Sequence, residues 1–365
     1  MTLSLSIQLV AALLTLASVT AFGNTKLPLD KLKMPPGFEI SVWATVPNAR
    51  SIAQAPGGRF FVGNRGEDNV YLVQNGKAQV FAEKLSVPNG VAFKDGKLYV
   101  AQVSEILEFN VPEKVTTPQK PVRTLTQKFP TDASHGWKFI RFGPDGKLYV
   151  PVGAPCNICD LGTEYGRIYR IDVNGSSKEV VAEGVRNTVG FDWDPVSKDL
   201  WFTDNGRDWM GDDSPPDEIN HLTKVGEHFG FPYCHGKNIL DKEFGKGKDC
   251  KNYKAPEAEL RAHVAALGMR FYNGKMFPSE YQGGIIYAEH GSWNRSAPQG
   301  YMVGFAFIKD GKITTVKPLV EGWLQVGDAW GRPVDVEVME DGSVLISDDK
   351  AGVIYRLSYK APKGK

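Results

Sequence analysis

The chain has 365 residues, 42% of them hydrophobic and 11% aromatic, and a formal net charge of +1. That is enough apolar material for a sizeable core in one all-β domain, a class that often exceeds the usual domain length. The near-neutral charge argues against nucleic acid or an anionic membrane surface as a partner. The 39 Gly and 23 Pro suit many short strands joined by turns.

At the start, Leu3 to Ala21 form a mostly apolar run without charge that ends in Val19-Thr-Ala21. The run is short for a bilayer span and is interrupted by Ser and Gln. Residues 1–21 therefore read as a secretory signal peptide, although no Lys or Arg precedes the apolar run, and an uncleaved anchor is the alternative. Cleavage would leave no membrane-spanning stretch and a periplasmic or secreted protein. Four Cys follow, an even number that fits disulfides in such a compartment. Of the three pairings, Cys156–Cys159 with Cys234–Cys250 keeps both loops local and is preferred. A redox role for Cys156-Asn-Ile-Cys159 would need a βαβ setting, and a zinc site would need clustered ligands; the flanking sequence offers neither.

From residue 51 onward one template recurs: an apolar strand, a polar turn with Gly or Pro, a second apolar strand. It occupies 51–62, 89–100, 139–150, 189–202, 268–287 and 334–346. Asp-Gly and Gly-Gly turns between β-branched and aromatic runs are strong hairpin signals. Further strands follow most units, as in Val70-Tyr-Leu-Val73 and Arg167-Ile-Tyr-Arg-Ile171. A repeat of about 40–50 residues with about four strands each predicts an all-β, six-bladed β-propeller of four-stranded antiparallel blades over 35–360. A pair of β-sandwiches would not account for one recurring template. The stretch 207–263, rich in Gly, Pro, Lys and Asp, is read as a long connection over one face, stapled by a disulfide.

In a propeller the innermost strands deliver their leading residues to one mouth of the axial channel. Those residues are Asn89, His135, Arg186 with Asn187, and Arg332; Arg65 follows one inner hairpin, and His290, Trp293 and Arg295 follow another. Several cations around a mouth call for an anion. His135, in Ser134-His-Gly-Trp137, is a candidate general base. Asp204-Asn-Gly-Arg-Asp208 offers hard oxygen ligands around a Gly, as a Ca²⁺ loop would, or is a solvated acidic turn.

The order His135, Arg186-Asn187, Asn205-Gly-Arg-Asp208, Asp217-Glu-Ile-Asn220, Gly331-Arg-Pro-Val334 resembles the soluble glucose/sorbosone dehydrogenases that use pyrroloquinoline quinone (PQQ). The resemblance spans roughly 35–360. It implies a PQQ- and Ca²⁺-dependent oxidation of a sugar or sugar-derived alcohol or aldehyde, with electrons leaving to an external quinone or c-type cytochrome. By the same resemblance His135 takes the substrate hydroxyl proton and Arg186 lies beside the quinone carbonyl that receives hydride. Asn187 holds a neighbouring oxygen, Arg332 pairs with quinone carboxylates, and the main-chain carbonyls of Gly206 and Arg207 hold Ca²⁺. Arg65, Asn89 and His290 complete the expected cofactor contacts. The chain departs from the glucose branch at Pro88, Ser134 and Val334, which turns the expectation toward a sorbosone-like branch, as does His290-Gly-Ser-Trp-Asn-Arg295; the departure at Arg207 leaves a main-chain ligand in place. A Ca²⁺-dependent lactonase and a non-catalytic binding propeller are the rival readings.

Overall fold

The computed structural model describes residues 27–362; the expected signal peptide lies outside them. It is an all-β molecule in which three single-turn 3-10 helices are the only helices among the described residues. Six sheets of four antiparallel strands radiate from an axis as six blades, and the third gains a short parallel edge strand, Glu227–His228. Their inner strands are Ala49–Ala55, Gly90–Lys94, Arg141–Phe142, Gly190–Trp193, Ala266–Phe271 and Pro333–Val338. Each lies within or beside one of the six sequence repeats.

The local chemistry explains the hairpins. Asn75-Gly76, Asp95-Gly96 and Asp310-Gly311 all have positive φ at both residues. They close two-residue loops between paired strands, as Lys94 opposite Lys97 shows. This turn geometry matches the right-handed twist of the strands it joins.

The six blades meet at six apolar seams, one per interface. Between the first two blades, for example, Phe61, Leu72 and Phe81 pack with Val91, Leu98 and Phe109. The strands at these seams are buried on both faces and so lack simple polar–apolar alternation, as in Ala49–Ala55 and Leu148–Val152. Near the axis the backbones approach closely: a Cβ at Gly190 would lie 2.1 Å from the Leu267 carbonyl oxygen. The channel is crossed by ion pairs, Arg270 to Asp335 and Glu337, and Arg141 to Glu337 and Asp192, which tie four inner strands together.

Two features go beyond the repeat reading. The ring closes through the N-terminal strand Phe38–Thr45, which pairs antiparallel with Val353–Tyr359 and supplies the outer strand of the last blade. The stretch 207–263 is corrected: it is not one connection. Pro216–Leu222 and Ala258–Ala262 are the third and fourth strands of the fourth blade, and only the segment between them is an excursion. Apolar side chains such as Ile219 and Leu260 are drawn into the seam with the fifth blade.

Both preferred disulfides are formed, Cys156–Cys159 and Cys234–Cys250, and no cysteine is free. Cys234 and Cys250 are 16 residues apart inside the excursion. Closing a loop of that size should stabilise by about 3 kcal/mol in the chain-entropy account. The Cys234→Ser, Cys250→Ser double variant is expected to lose about that much in urea unfolding; an unchanged midpoint would show that the excursion unfolds independently of the propeller.

Candidate active site

A cavity of about 340 Å³ opens at the mouth formed by the leading ends of the inner strands. It gathers Arg50, Arg65, His135, Arg186, Asn187 and Arg332, with His263 and His290. A larger cavity of about 530 Å³ opens at the opposite mouth, but its Arg141 and Glu337 already pair with each other and its lining contains neither His nor Cys. The smaller cavity is therefore the candidate site.

His135 is held in the left-handed region, φ +48°, a conformation that a non-glycine residue adopts only when its surroundings enforce it. Its Nδ1 lies 2.7 Å from the Ala154 carbonyl oxygen. A carbonyl only accepts, so Nδ1 carries the proton and Nε2 is left as the acceptor. The chain can approach this closely because Gly153 has no side chain: a Cβ there would lie 2.8 Å from the His135 Cβ. Burial, then the Arg186 charge, and more weakly that of Arg65, push the imidazole down to about 4 against the Ala154 hydrogen bond. The ring is neutral through the physiological range, as a base must be.

An NMR titration of the cofactor-free protein should find the His135 midpoint near pH 4; a midpoint near 6.5 would mean an exposed ring remote from both arginines. The folded-state value lies below the unfolded one, so the unfolded chain takes up this proton first. The His135 contribution to stability is therefore complete above about pH 6.5 and is lost as pH falls toward 4.

Arg186 is fixed from several sides. Its Nε donates to the Asn157 carbonyl oxygen at 2.9 Å, its Nη2 to Asn157 Oδ1 at 3.0 Å and to Asp208 at 3.3 Å. The backbone N–H groups of Arg186 and Asn187 donate to the two oxygens of Asp204, at 2.8 and 2.7 Å. Asn157 sits inside the Cys156–Cys159 loop, so that disulfide hairpin orients the guanidinium.

The cations of the opposite wall are differently placed. Arg50 is buried and pairs with Asp349 at 2.6 Å. The Arg332 guanidinium donates to the main-chain oxygens of His290 and Gly291, at 3.0 and 2.9 Å, while its backbone N–H donates to Asp348 at 2.8 Å. Arg65 lies 3.8 Å from the centroid of the Trp137 ring. Neither the Arg65 nor the Arg332 guanidinium meets a carboxylate among the described residues. Burial, then Arg50, with Arg332 also contributing, pushes the Arg65 guanidinium down. His290 is pushed down to about 4 by burial despite Asp349, so it is neutral and its Nε2 donates to Asp349 at 2.9 Å.

Asn89 was expected among the cofactor contacts; the structure places it elsewhere. It is fully buried, accepts from Arg50 Nε at 2.5 Å, donates to the Lys138 carbonyl oxygen, and does not line the cavity. It steadies Arg50, a cavity cation that the sequence reading passed over although Arg50 heads an inner strand by the same rule. Gly206 lines the cavity, whereas the Arg207 side chain turns away to Asp241 and Glu243, at 2.7 and 2.8 Å. Asp204, Asp217 and Glu218 cluster around this turn, all buried. Burial pushes Asp204 and Asp217 up to about 6 and, joined by the Asp204 charge, Glu218 up to about 8.

Taken together, a neutral base, a clamped cation and two guanidiniums without carboxylate partners share one propeller mouth. That arrangement suits an enzyme acting on a small polar molecule with the help of an anionic ligand. Residues 105–356 match the glucose/sorbosone dehydrogenase family, and the chain belongs to it. It is 37% identical to a protein of Borreliella burgdorferi over 97% of both chains. Among solved structures it is similar to a calcium form of a Trichoderma reesei carbohydrate-active enzyme of family AA12, with a TM-score of 0.79, 18% identity and coverage of 90% of this chain and 97% of that one. It is also similar to the PQQ domain of pyranose dehydrogenase from Coprinopsis cinerea, with a TM-score of 0.74, 17% identity and coverage of 90% and 97%. At these identities the structural likenesses establish the shared fold.

Proposed function

We propose that this protein is an exported, PQQ- and Ca²⁺-dependent dehydrogenase that oxidises a sugar or sugar-derived alcohol or aldehyde and passes electrons to an external quinone or cytochrome. The observation that carries this reading is the pairing, in one cavity, of a neutral His135 whose free nitrogen is Nε2 with Arg65 and Arg332, whose guanidiniums lack carboxylate partners. Partial burial and the neighbouring guanidiniums push the Arg65 guanidinium down, a repulsion that an anion would relieve, so such a cavity is suited to a polyanion. PQQ, a compact tricarboxylate, fits both the charge and a volume at the small end of ligand sites, which run from about 300 Å³.

When bound, PQQ would supply the acceptor for the hydride. The residues of this chain do the rest. Arg332 and Arg65 orient the anionic ligand, and His290, whose Nε2–H is committed to Asp349, lines the same site; bidentate Arg–carboxylate contact fixes angle as well as position. His135 Nε2 accepts the proton of the sugar hydroxyl. Arg186, fixed by Asn157 and Asp208, presents positive charge where negative charge develops, and Asn187 supports a neighbouring oxygen. No group of three or more His, Cys, Asp or Glu side chains among the described residues is arranged to hold a metal. Ca²⁺ would depend on the main-chain oxygens of Gly206 and Arg207 and on the cofactor. Asp204 and Asp217, which accept the main-chain N–H groups of Arg186, Asn187, Gly206 and Ala266, bring negative charge to this turn, and a cation there would draw the proton off Glu218 as well.

The test is reconstitution of purified protein with PQQ and Ca²⁺, followed by dye reduction with a panel of aldoses, sorbosone and small alcohols. Sugar-dependent dye reduction that requires PQQ is expected. Failure to bind PQQ, or lactone hydrolysis by the cofactor-free protein, would sink the reading.

A further inference from the structure

Two of the most exposed large apolar side chains stand together at the rim of this cavity. Trp209 is 68% exposed and Trp293 66% exposed. Their rings are 5.5 Å apart at 82°, so they form a corner with one indole face turned to the edge of the other. Trp293 lines the cavity, as does Asp208, the residue before Trp209.

The corner is built, not loose. Trp209 has φ +68°, an unfavourable backbone for an aromatic residue that persists only where neighbours hold it. The neighbours are identifiable. Asn157 Oδ1 accepts from the Asp208 N–H at 2.7 Å. His263 Nε2 donates to the Gly211 carbonyl oxygen at 2.9 Å. Arg295 donates to Asp213 at 3.1 Å, and the Ser296 N–H to Asp212 at 3.1 Å, which fastens the Trp209 loop to the Trp293 loop.

The volume of the cavity decides what this corner faces. At about 340 Å³ it has room for roughly one compact ligand. With a cofactor inside, a substrate ring must sit at the opening, and anything attached to that ring projects over the rim. Two indoles offer far less area than the roughly 800 Å² per partner of a stable protein interface. They are also flanked by the exposed Asp213, which pairs with Arg295, a polar margin. A pyranose ring suits such a corner: its apolar C–H face stacks on an indole while its hydroxyls remain with water and the flanking charges.

We propose that Trp209 and Trp293 form a sugar-stacking subsite that takes the second pyranose ring of an oligosaccharide whose terminal ring sits at the cavity opening. This rests on the sugar-oxidising reading above and narrows it to glycosidically extended substrates. The test begins with cofactor-free protein, so that it does not depend on turnover. Calorimetric and tryptophan-fluorescence titrations with cellotriose, maltotriose and glucose should show at least one trisaccharide binding about tenfold more tightly than glucose, the value of one good aromatic contact. Trp209→Ala and Trp293→Ala should each remove most of that preference, and Trp→Phe at either position should keep part of it, with melting curves excluding a folding defect. In the PQQ-loaded protein the same variants should raise KM for the trisaccharide relative to glucose, with kcat for the trisaccharide little changed.

Equal affinity for mono- and trisaccharides in the unmodified protein would overturn the proposal. So would variants that raise KM for the electron acceptor and leave the trisaccharide preference intact, since the corner would then serve acceptor docking. A loaded protein that oxidises no sugar would defeat the sugar-oxidising reading, whereas the cofactor-free titrations judge the subsite separately.

Discussion

His135→Ala is expected to lower kcat by about 10²–10⁴, the usual consequence of removing a positioned general base. The substrate hydroxyl would lose the acceptor for its proton, Nε2, which is free because Nδ1 is committed to Ala154. PQQ affinity should change little, because under the proposed function the arginines and the Gly206 turn would carry the contacts to the anionic ligand. Normal turnover of the variant at saturating PQQ would make His135 a structural residue. Chemical rescue adds a second check: an external base such as imidazole should restore part of the lost rate in the variant and none in the unmodified protein.

Arg332→Ala should fail in the opposite way. Arg332 makes no ion pair among the described residues, and its Nε and Nη2 hydrogen bonds to the His290 and Gly291 carbonyl oxygens aim the guanidinium. Losing one charged hydrogen-bonding partner of the ligand costs about 1.5–3 kcal/mol, or about 10- to 150-fold in PQQ affinity. With PQQ raised to saturation, kcat should recover most of its value. Titration of the cofactor absorbance measures the first effect and dye reduction the second. An unaltered PQQ affinity would remove Arg332 from the cofactor site. The two variants thus separate chemistry from cofactor retention.

The residues of the mouth were legible to different degrees. His135, Arg186, Asn187, His290, Arg332 and Arg65 carry enough local pattern, at the head or foot of a repeated strand, to be selected, and the structure gathers them around one cavity. Asn89 obeys the same pattern, yet its amide is taken up by Arg50 and Lys138, contacts set by the third dimension. Arg50 had the same signal and was overlooked because the repeat is read from Ser51 onward, one residue after it. Asn157 and His263 had none: one acts from a disulfide loop whose residues look like an ordinary turn, the other from a connection between blades.

What the sequence determined by itself was local. Asp-Gly and Asn-Gly turns set the hairpins because few other residue pairs accept two positive φ angles. Runs apolar at successive positions marked strands buried on both faces, and six such units implied six blades. Short separation between cysteines favoured their pairing. The tertiary structure alone decided what depends on distant segments. Phe38–Thr45 closes the ring against Val353–Tyr359 because the last blade would otherwise expose an unpaired edge. The 207–263 stretch yields two strands because Ile219 and Leu260 find apolar partners in the next blade. Trp209 and Trp293 become a corner only when hydrogen bonds fasten their loops together. Turn geometry and burial pattern are written in neighbouring residues, whereas charge compensation, edge pairing and rim geometry arise from contacts between residues far apart in the chain.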